Sequence, residues 1–285
     1  MMATFPLLIA PLDLLPHLDQ PNLRIIDLSR ESVFQQVHLR GAVWLNGRRL
    51  MRGVEPVAAG LPDLDVLTAL MAELGITPQH HVIAYDDEGG GWASRLIWTL
   101  HRLGHDKVSL LDGGIHAWLA DGLPTEEGAS SEVSCPPSTW QLDPQPEVNA
   151  EQLMARMAQH HDPIWDCRSL EEYTGERLAA RRGGHLPNAK HYEWTRAMDR
   201  SNALRLRPLD QIRQDLIECG ILSDPLNATA TPTIRPIVTY CQSHHRSSFA
   251  YVIGKILDLP IQAYAGGWSD WGNRSDTPIH TGEPT

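Results

Sequence analysis

The sequence is short of the features that would place it in several common classes. It has four cysteines in 285 residues, Cys135, Cys167, Cys219 and Cys241, and no two stand in C-x-x-C spacing. That argues against a zinc ribbon or a thioredoxin-type couple. So few cysteines in so long a chain make no disulfide scaffold, and a reducing compartment suits them better. Positive charge is also scarce: 24 Lys and Arg against 35 Asp and Glu leave a formal net charge of −11. An acidic chain is a poor match for nucleic acid or an anionic membrane, so an anionic ligand would have to be held by local groups. The apolar run within Met1–Ala10 has no basic segment and is bracketed by Pro6 and Pro11. It reads as neither a signal peptide nor a membrane span, and a soluble cytoplasmic protein is expected. No G-x-x-x-x-G-K-[ST] loop occurs. Gly89-Gly90-Gly91 follows Asp86-Asp87-Glu88, whose charge would repel phosphate, and it reads as a loop that uses glycine's backbone freedom.

What is present points to an α/β protein. At 42% hydrophobic and 21% charged residues the composition is globular, and the length suits two domains. Short β-prone runs (Leu7–Ile9, Leu23–Leu28, His81–Tyr85, Val108–Leu111) alternate with helical patterns (Ser32–Gln36, Leu64–Leu74, Ala93–Leu103, Ile115–Ala120). Such alternation predicts a mostly parallel sheet flanked by helices on both faces. Residues 124–148 are rich in Pro, Ser and Glu, a linker composition, with Trp140 and Leu142 a candidate first strand of the second half.

The second half repeats the first. Ile25-Ile26-Asp27-Leu28 corresponds to Ile164-Trp165-Asp166-Cys167, and His38-Leu39-Arg40-Gly41-Ala42 to His185-Leu186-Pro187-Asn188-Ala189. Val82-Ile83-Ala84-Tyr85-Asp86 corresponds to Ile237-Val238-Thr239-Tyr240-Cys241, and Leu111-Asp112-Gly113-Gly114 with Trp118 to Tyr264-Ala265-Gly266-Gly267 with Trp271. The expected division is a domain over 1–124, a linker over 125–148 and a second domain of the same fold over 149–285.

The copies differ at one telling position. The second has Cys241 where the first has Asp86, and Arg246, Ser247, Ser248 and an apolar helical pattern follow the cysteine. A cysteine between a strand's end and a helix start faces unpaired N–H groups and the positive end of the helix dipole, which favour a thiolate. Cys241 is the expected nucleophile, and the copy with Asp86 is expected to be silent.

On these residues the chain resembles the tandem-domain rhodaneses, the thiosulfate:cyanide sulfurtransferases, over nearly its whole length. His185-Leu186-Pro187-Asn188-Ala189 is close to the family's H-[I/L/V]-P-G-A, and Tyr264-Ala265-Gly266-Gly267-Trp268-Ser269-Asp270-Trp271 to its Y-x-G-[S/G]-W-x-E-W. Cys241-Gln242-Ser243-His244-His245-Arg246-Ser247 looks like the C-Q-T-H-H-R-S loop of one bacterial branch. Two departures stand out: Asn188 replaces glycine, a residue that also tolerates positive φ, and Asp270 replaces glutamate. The loop matches neither the C-R-K-G-V-T nor the C-G-S-G-V-T type.

The resemblance implies that Cys241 takes the outer sulfur of thiosulfate as a persulfide and passes it to cyanide or another thiophilic acceptor. Gln242, Ser243, His244, His245 and Arg246 would surround the sulfur, and Arg182 and Trp194 are expected beside it, Arg182 as an anion contact. No cofactor is required beyond the covalent persulfide, and the adjacent His244 and His245 do not suit a metal. The partners expected are a small-molecule donor and acceptor, with an acceptor protein as a further possibility, no nucleic acid and no membrane; nothing calls for more than a monomer. The alternatives are a 3-mercaptopyruvate sulfurtransferase and a persulfide carrier that serves a partner protein. A cysteine phosphatase is more remote: its loop is C-x-x-x-x-x-R, whereas only four residues, Gln242 to His245, separate Cys241 from Arg246.

Overall fold

The computed structural model describes residues 5–54, 57–129, 133–159, 162–223 and 235–284. Residues 1–4 of the apolar start and 130–132 of the linker stretch lie outside them. Two units are formed. The first takes Met1–Arg52, Leu61–Asp143 and Met198–Leu206, and the second Gly53–Gly60, Pro144–Ala197 and Arg207–Thr285.

In the first unit strands β1 (Leu8–Ile9), β2 (Leu23–Asp27), β3 (Val43–Trp44), β4 (His81–Tyr85) and β5 (Val108–Leu111) form a parallel sheet in the order β1-β5-β4-β2-β3. In the second, β6 (Ile164–Asp166), β7 (Ala189–His191), β8 (Ile237–Tyr240) and β9 (Ile261–Ala263) form a parallel sheet in the order β9-β8-β6-β7. Every residue of β4 and of β8 is buried, as a strand covered on both faces requires. Around β8 the core is built from Ile164, Leu186, Val238, Tyr264, Trp268 and Trp271, and around β4 from Ile25, Phe34, Ile83, Leu111, Ile115 and Trp118. The α/β architecture and the parallel sheets are as the sequence predicts. The proposed strand at Trp140 and Leu142 is not formed. The outer position beside β9 is taken instead by a single parallel bridge from Glu147 to Ala263, because the prolines at 144 and 146 confine pairing to that point.

The repeat extends to individual hydrogen bonds. Tyr85 Oη accepts the Leu39 N–H at 3.0 Å, and Tyr240 Oη accepts the Leu186 N–H at 3.2 Å. His38 stacks on Phe34 with its Nδ1 2.7 Å from the Phe34 carbonyl, and His185 stacks on Tyr173 with its Nδ1 2.8 Å from the Tyr173 carbonyl. Trp118 and Trp271 donate to the Pro124 and Pro278 carbonyls at 2.9 and 2.8 Å. Asn188 sits at φ 64, the left-handed turn expected of a residue in glycine's place. No helix of the described residues is long and apolar enough to cross a membrane.

Candidate active site

Strand β8 ends at Tyr240 and the helix Arg246–Ile256 begins five residues after Cys241. Cys241 therefore opens a tight loop at the carboxyl edge of the sheet, where ligands gather in open α/β folds. Val238 and Tyr240 enter one core, so alternation turns Thr239 and Cys241 to the other face. Both Cys241 and Thr239 are fully buried.

The loop is held from outside. The Cys241 and Gln242 carbonyls accept the N–H groups of Trp268 and Ser269 at 2.8 and 2.9 Å. Only glycine fits at 267: its φ is 57, and a Cβ there would lie 2.6 Å from the Cys241 oxygen and 2.8 Å from the Gln242 oxygen. This explains the Gly266-Gly267 pair in the sequence motif. Gly114 (φ 55) makes the same approach to the carbonyl of Asp86 in the first unit. Asp270 closes the motif by accepting the Tyr264 hydroxyl at 2.6 Å. Below the loop, Arg168 is fully buried against Asp166 (Nη2–Oδ2 2.6 Å), with its guanidinium over the Trp268 ring at 4.5 Å, which braces the ends of β6 and β8.

The sulfur itself receives the Ser247 hydroxyl at 3.4 Å. Burial pushes the Cys241 thiol up, but Arg246, the Ser247 hydroxyl and the N–H groups of Ser247 and Ser243 outweigh it, and the thiol lies below its ordinary value. Cys167 is the contrast. It is equally buried, bonded to Thr239 Oγ1 at 3.0 Å, and burial drives its thiol well up. Of these two buried thiols, only Cys241 has the surroundings of a nucleophile.

The residues singled out in the sequence divide into two sets. Ser243, His244 and Arg246 gather at the sulfur. Arg246 meets Glu172 in a two-bond pair, and His244 bonds Ser247 through Nδ1 at 2.8 Å. His245 lies 5.7 Å from the Trp194 ring, which also meets Phe249 edge-on, so Trp194 packs on the loop. The other two turn elsewhere. Gln242 Nε2 reaches the Ala179 carbonyl at 2.8 Å. Arg182 donates to the carbonyls of Thr277 and Trp271 at 2.9 and 3.0 Å and to the Thr277 hydroxyl. Its guanidinium thus fastens the segment after Trp271, and neighbouring Arg181 is exposed with only its backbone N–H tied down, to Asn273.

Glu172 is the residue the sequence reading missed. It ends the capping box Ser169-x-x-Glu172 of the helix Leu170–Thr174. That signature is visible in the sequence; its pairing with an arginine 74 residues later is not. Burial raises the Glu172 carboxyl, but Arg246 and the Ser169 N–H more than reverse this and bring it down to about 2. No group of three or more His, Cys, Asp or Glu suited to a metal ion occurs among the described residues. A cavity of about 1160 Å³ in the second unit, lined by Lys190, Arg235, Asp258 and His280 among others, opens at the opposite end of the sheet and includes no loop residue.

The first unit's loop is built differently. Asp86 is fully buried and accepts N–H bonds from Glu88, Gly90 and Ala93 at 3.0, 2.8 and 3.0 Å, so its own carboxylate fills the nest. Burial and the charge of Glu88 push it up to about 6. Gly91 stands where the second unit has Arg246.

Comparison with known proteins agrees with this duplicated arrangement. The chain is 40% identical over 281 residues to a thiosulfate sulfurtransferase of Azotobacter vinelandii, covering 97% of this chain and 98% of that one. It is 38% identical over 276 residues to a thiosulfate sulfurtransferase of Pseudomonas aeruginosa, covering 96% and 97%. In fold it matches an anaerobic ergothioneine biosynthesis enzyme from Chlorobium limicola with a TM-score of 0.82 at 19% identity, over 98% of this chain and 71% of that one. The family profile described as the rhodanese-like domain matches twice, at residues 10–121 and 149–274, and the chain belongs to that family as a tandem of two such domains.

Proposed function

We infer that the protein is a thiosulfate sulfurtransferase, the activity of its full-length relatives, and that Cys241 carries the sulfur. The observation behind the assignment to Cys241 is its place in the loop between strand and helix, fully buried with the Ser247 hydroxyl 3.4 Å from its sulfur, where Arg246 and loop N–H groups favour the thiolate. In the first step the thiolate attacks the outer sulfur of thiosulfate. A Cys241 S–S bond forms, the donor's S–S bond breaks, and sulfite leaves with the bonding pair. In the second, cyanide or another thiophile attacks the terminal sulfur, and the Cys241 thiolate is released. Neither step moves a proton. A covalent carrier between two half-reactions gives ping-pong kinetics.

The loop N–H groups aimed at the sulfur suit a persulfide anion. Arg246 supplies positive charge while Glu172 fixes its direction. With both Nη atoms on Glu172, the guanidinium does not offer its fork to a phosphate, which together with the short loop disfavours phosphatase chemistry. Arg182 acts as a structural clamp in this scheme. The four cysteines form no disulfide, and a reducing, cytoplasmic setting suits an enzyme that works through a free thiol.

The test is thiocyanate formation from thiosulfate and cyanide by wild type and Cys241→Ser, with intact mass after thiosulfate treatment. The wild type gains one sulfur, cyanide removes it, and the variant does neither. A Cys241→Ser protein with full turnover would sink the assignment. Running 3-mercaptopyruvate as a parallel donor tells which donor the site prefers.

A further inference from the structure

His244 and Ser247 form a buried row with the sulfur. Ser247 Oγ is 3.4 Å from Cys241 Sγ, and His244 Nδ1 is 2.8 Å from Ser247 Oγ. All three residues are fully buried. The imidazole is aimed by its own backbone, at φ 55, with the His244 carbonyl accepting the Ser248 hydroxyl. A serine hydroxyl has one proton to donate. When it donates to the sulfur, the Nδ1 facing it must carry a proton of its own. When Nδ1 is bare, the serine proton turns to the imidazole and the sulfur keeps its hydrogen. For an imidazole whose Nε2 keeps its proton, the row therefore has two proton arrangements: thiol with neutral imidazole, and thiolate with imidazolium.

We propose that His244, acting through Ser247, takes up the proton of the Cys241 thiol, so that the resting site holds a thiolate and an imidazolium with a serine hydroxyl between them. The proposal rests on the reading of Cys241 as the sulfur carrier. The S–H bond breaks and its proton passes to Ser247 Oγ, while the Oγ–H proton passes to His244 Nδ1. The sulfur keeps the electron pair, the serine ends unchanged, and nothing is oxidised or reduced. Ser247 touches the reacting atom; His244 is a positioning residue that acts through it. Other groups also bear on the sulfur's charge: Arg246 from the helix, backed by Glu172, and Cys167 beside Asp166 from the neighbouring strand end. Arg246 favours the thiolate, and the imidazolium would add a second positive charge that reaches the sulfur through a hydrogen bond.

The experiment is the pH dependence of iodoacetamide alkylation, followed on the Cys241 peptide by mass spectrometry, in wild type, Ser247→Ala, Ser247→Thr and His244→Asn. Asparagine tolerates the left-handed backbone of position 244 and cannot take the proton. The alkylation midpoint should rise in Ser247→Ala and His244→Asn, so that the rate below the midpoint falls roughly tenfold for each unit of rise. Ser247→Thr should restore the wild-type profile. Midpoints that coincide in all four proteins overturn the proposal, as does a rise in Ser247→Ala alone. A second measurement needs no variant. In ¹⁵N-histidine-labelled wild type, the His244 ring should be doubly protonated in the free protein and lose that state when Cys241 is alkylated; a ring that stays neutral overturns the proposal. Both readouts report protonation without turnover, so their failure is distinct from a Cys241→Ser protein that keeps sulfur transfer.

Discussion

Arg246 and Glu172 meet end to end: Nη1 donates to Oε2 at 2.6 Å and Nη2 to Oε1 at 2.9 Å. The pair fixes the only arginine of the loop to the helix cap at Ser169. Glu172→Gln should therefore lose roughly 3 kcal/mol of stability, because it leaves a largely buried guanidinium without its counter-charge. Arg246→Lys keeps the charge but not the fork, and its kcat/KM should fall on the order of tenfold. Urea midpoints and thiocyanate kinetics check the two.

Acid should act through the same pair. The Glu172 carboxyl is depressed from 4.5 to about 2, so between those values the unfolded chain binds the extra proton. The stabilisation is complete above pH 4.5 and is lost as pH falls toward 2. Wild type should lose stability across that window more steeply than Glu172→Gln. Equal slopes in urea titrations at pH 5, 4 and 3 would remove Glu172 from the account.

Gly267 and Gly114 offer a matched comparison. An added methyl at either collides with a loop carbonyl at positive φ, at a cost of about 1–3 kcal/mol. Gly267→Ala should also slow Cys241 alkylation and sulfur transfer, since the displaced oxygen belongs to Cys241 itself. Gly114→Ala should lower thermal stability and leave alkylation unchanged.

Restoring a cysteine to the first unit should not restore chemistry. In a Cys241→Ser background, Asp86→Cys places a thiol in a loop with Gly91 in place of an arginine and with Asp87 and Glu88 alongside. That thiol stays protonated, and thiocyanate formation should not exceed that of Cys241→Ser alone.

Trp194 should report the state of the sulfur. Its ring lies 5.7 Å from that of His245 in the loop. Wild-type fluorescence should change on addition of thiosulfate and return with cyanide. Trp194→Phe should lose most of that response, although eight other tryptophans remain of the nine.

The sequence by itself determined the α/β class and the duplication, and it singled out the cysteine on which the proposed chemistry rests. These are local or periodic properties. Apolar runs ending in turn residues set each strand. The same Asp, His, Tyr and Trp positions recur in both halves because each makes the same bond in its own unit. Cys241 stands out because a strand, a short loop and a helix adjoin in sequence, the order the fold keeps. Tertiary structure decided what depends on distant partners. Arg182 reads as an anion contact from its place beside Gly183-Gly184-His185, yet both its Nη groups donate to Thr277 and Trp271. Glu172 carries only a capping signature, yet folding brings it to Arg246. His244 and Ser247 are a loop histidine and a helix serine until the backbone at φ 55 swings the imidazole onto the hydroxyl beside the sulfur. Hydrogen-bond partners across the chain are chosen by where rigid strands and helices come to rest, and a linear pattern of residue types does not encode that choice.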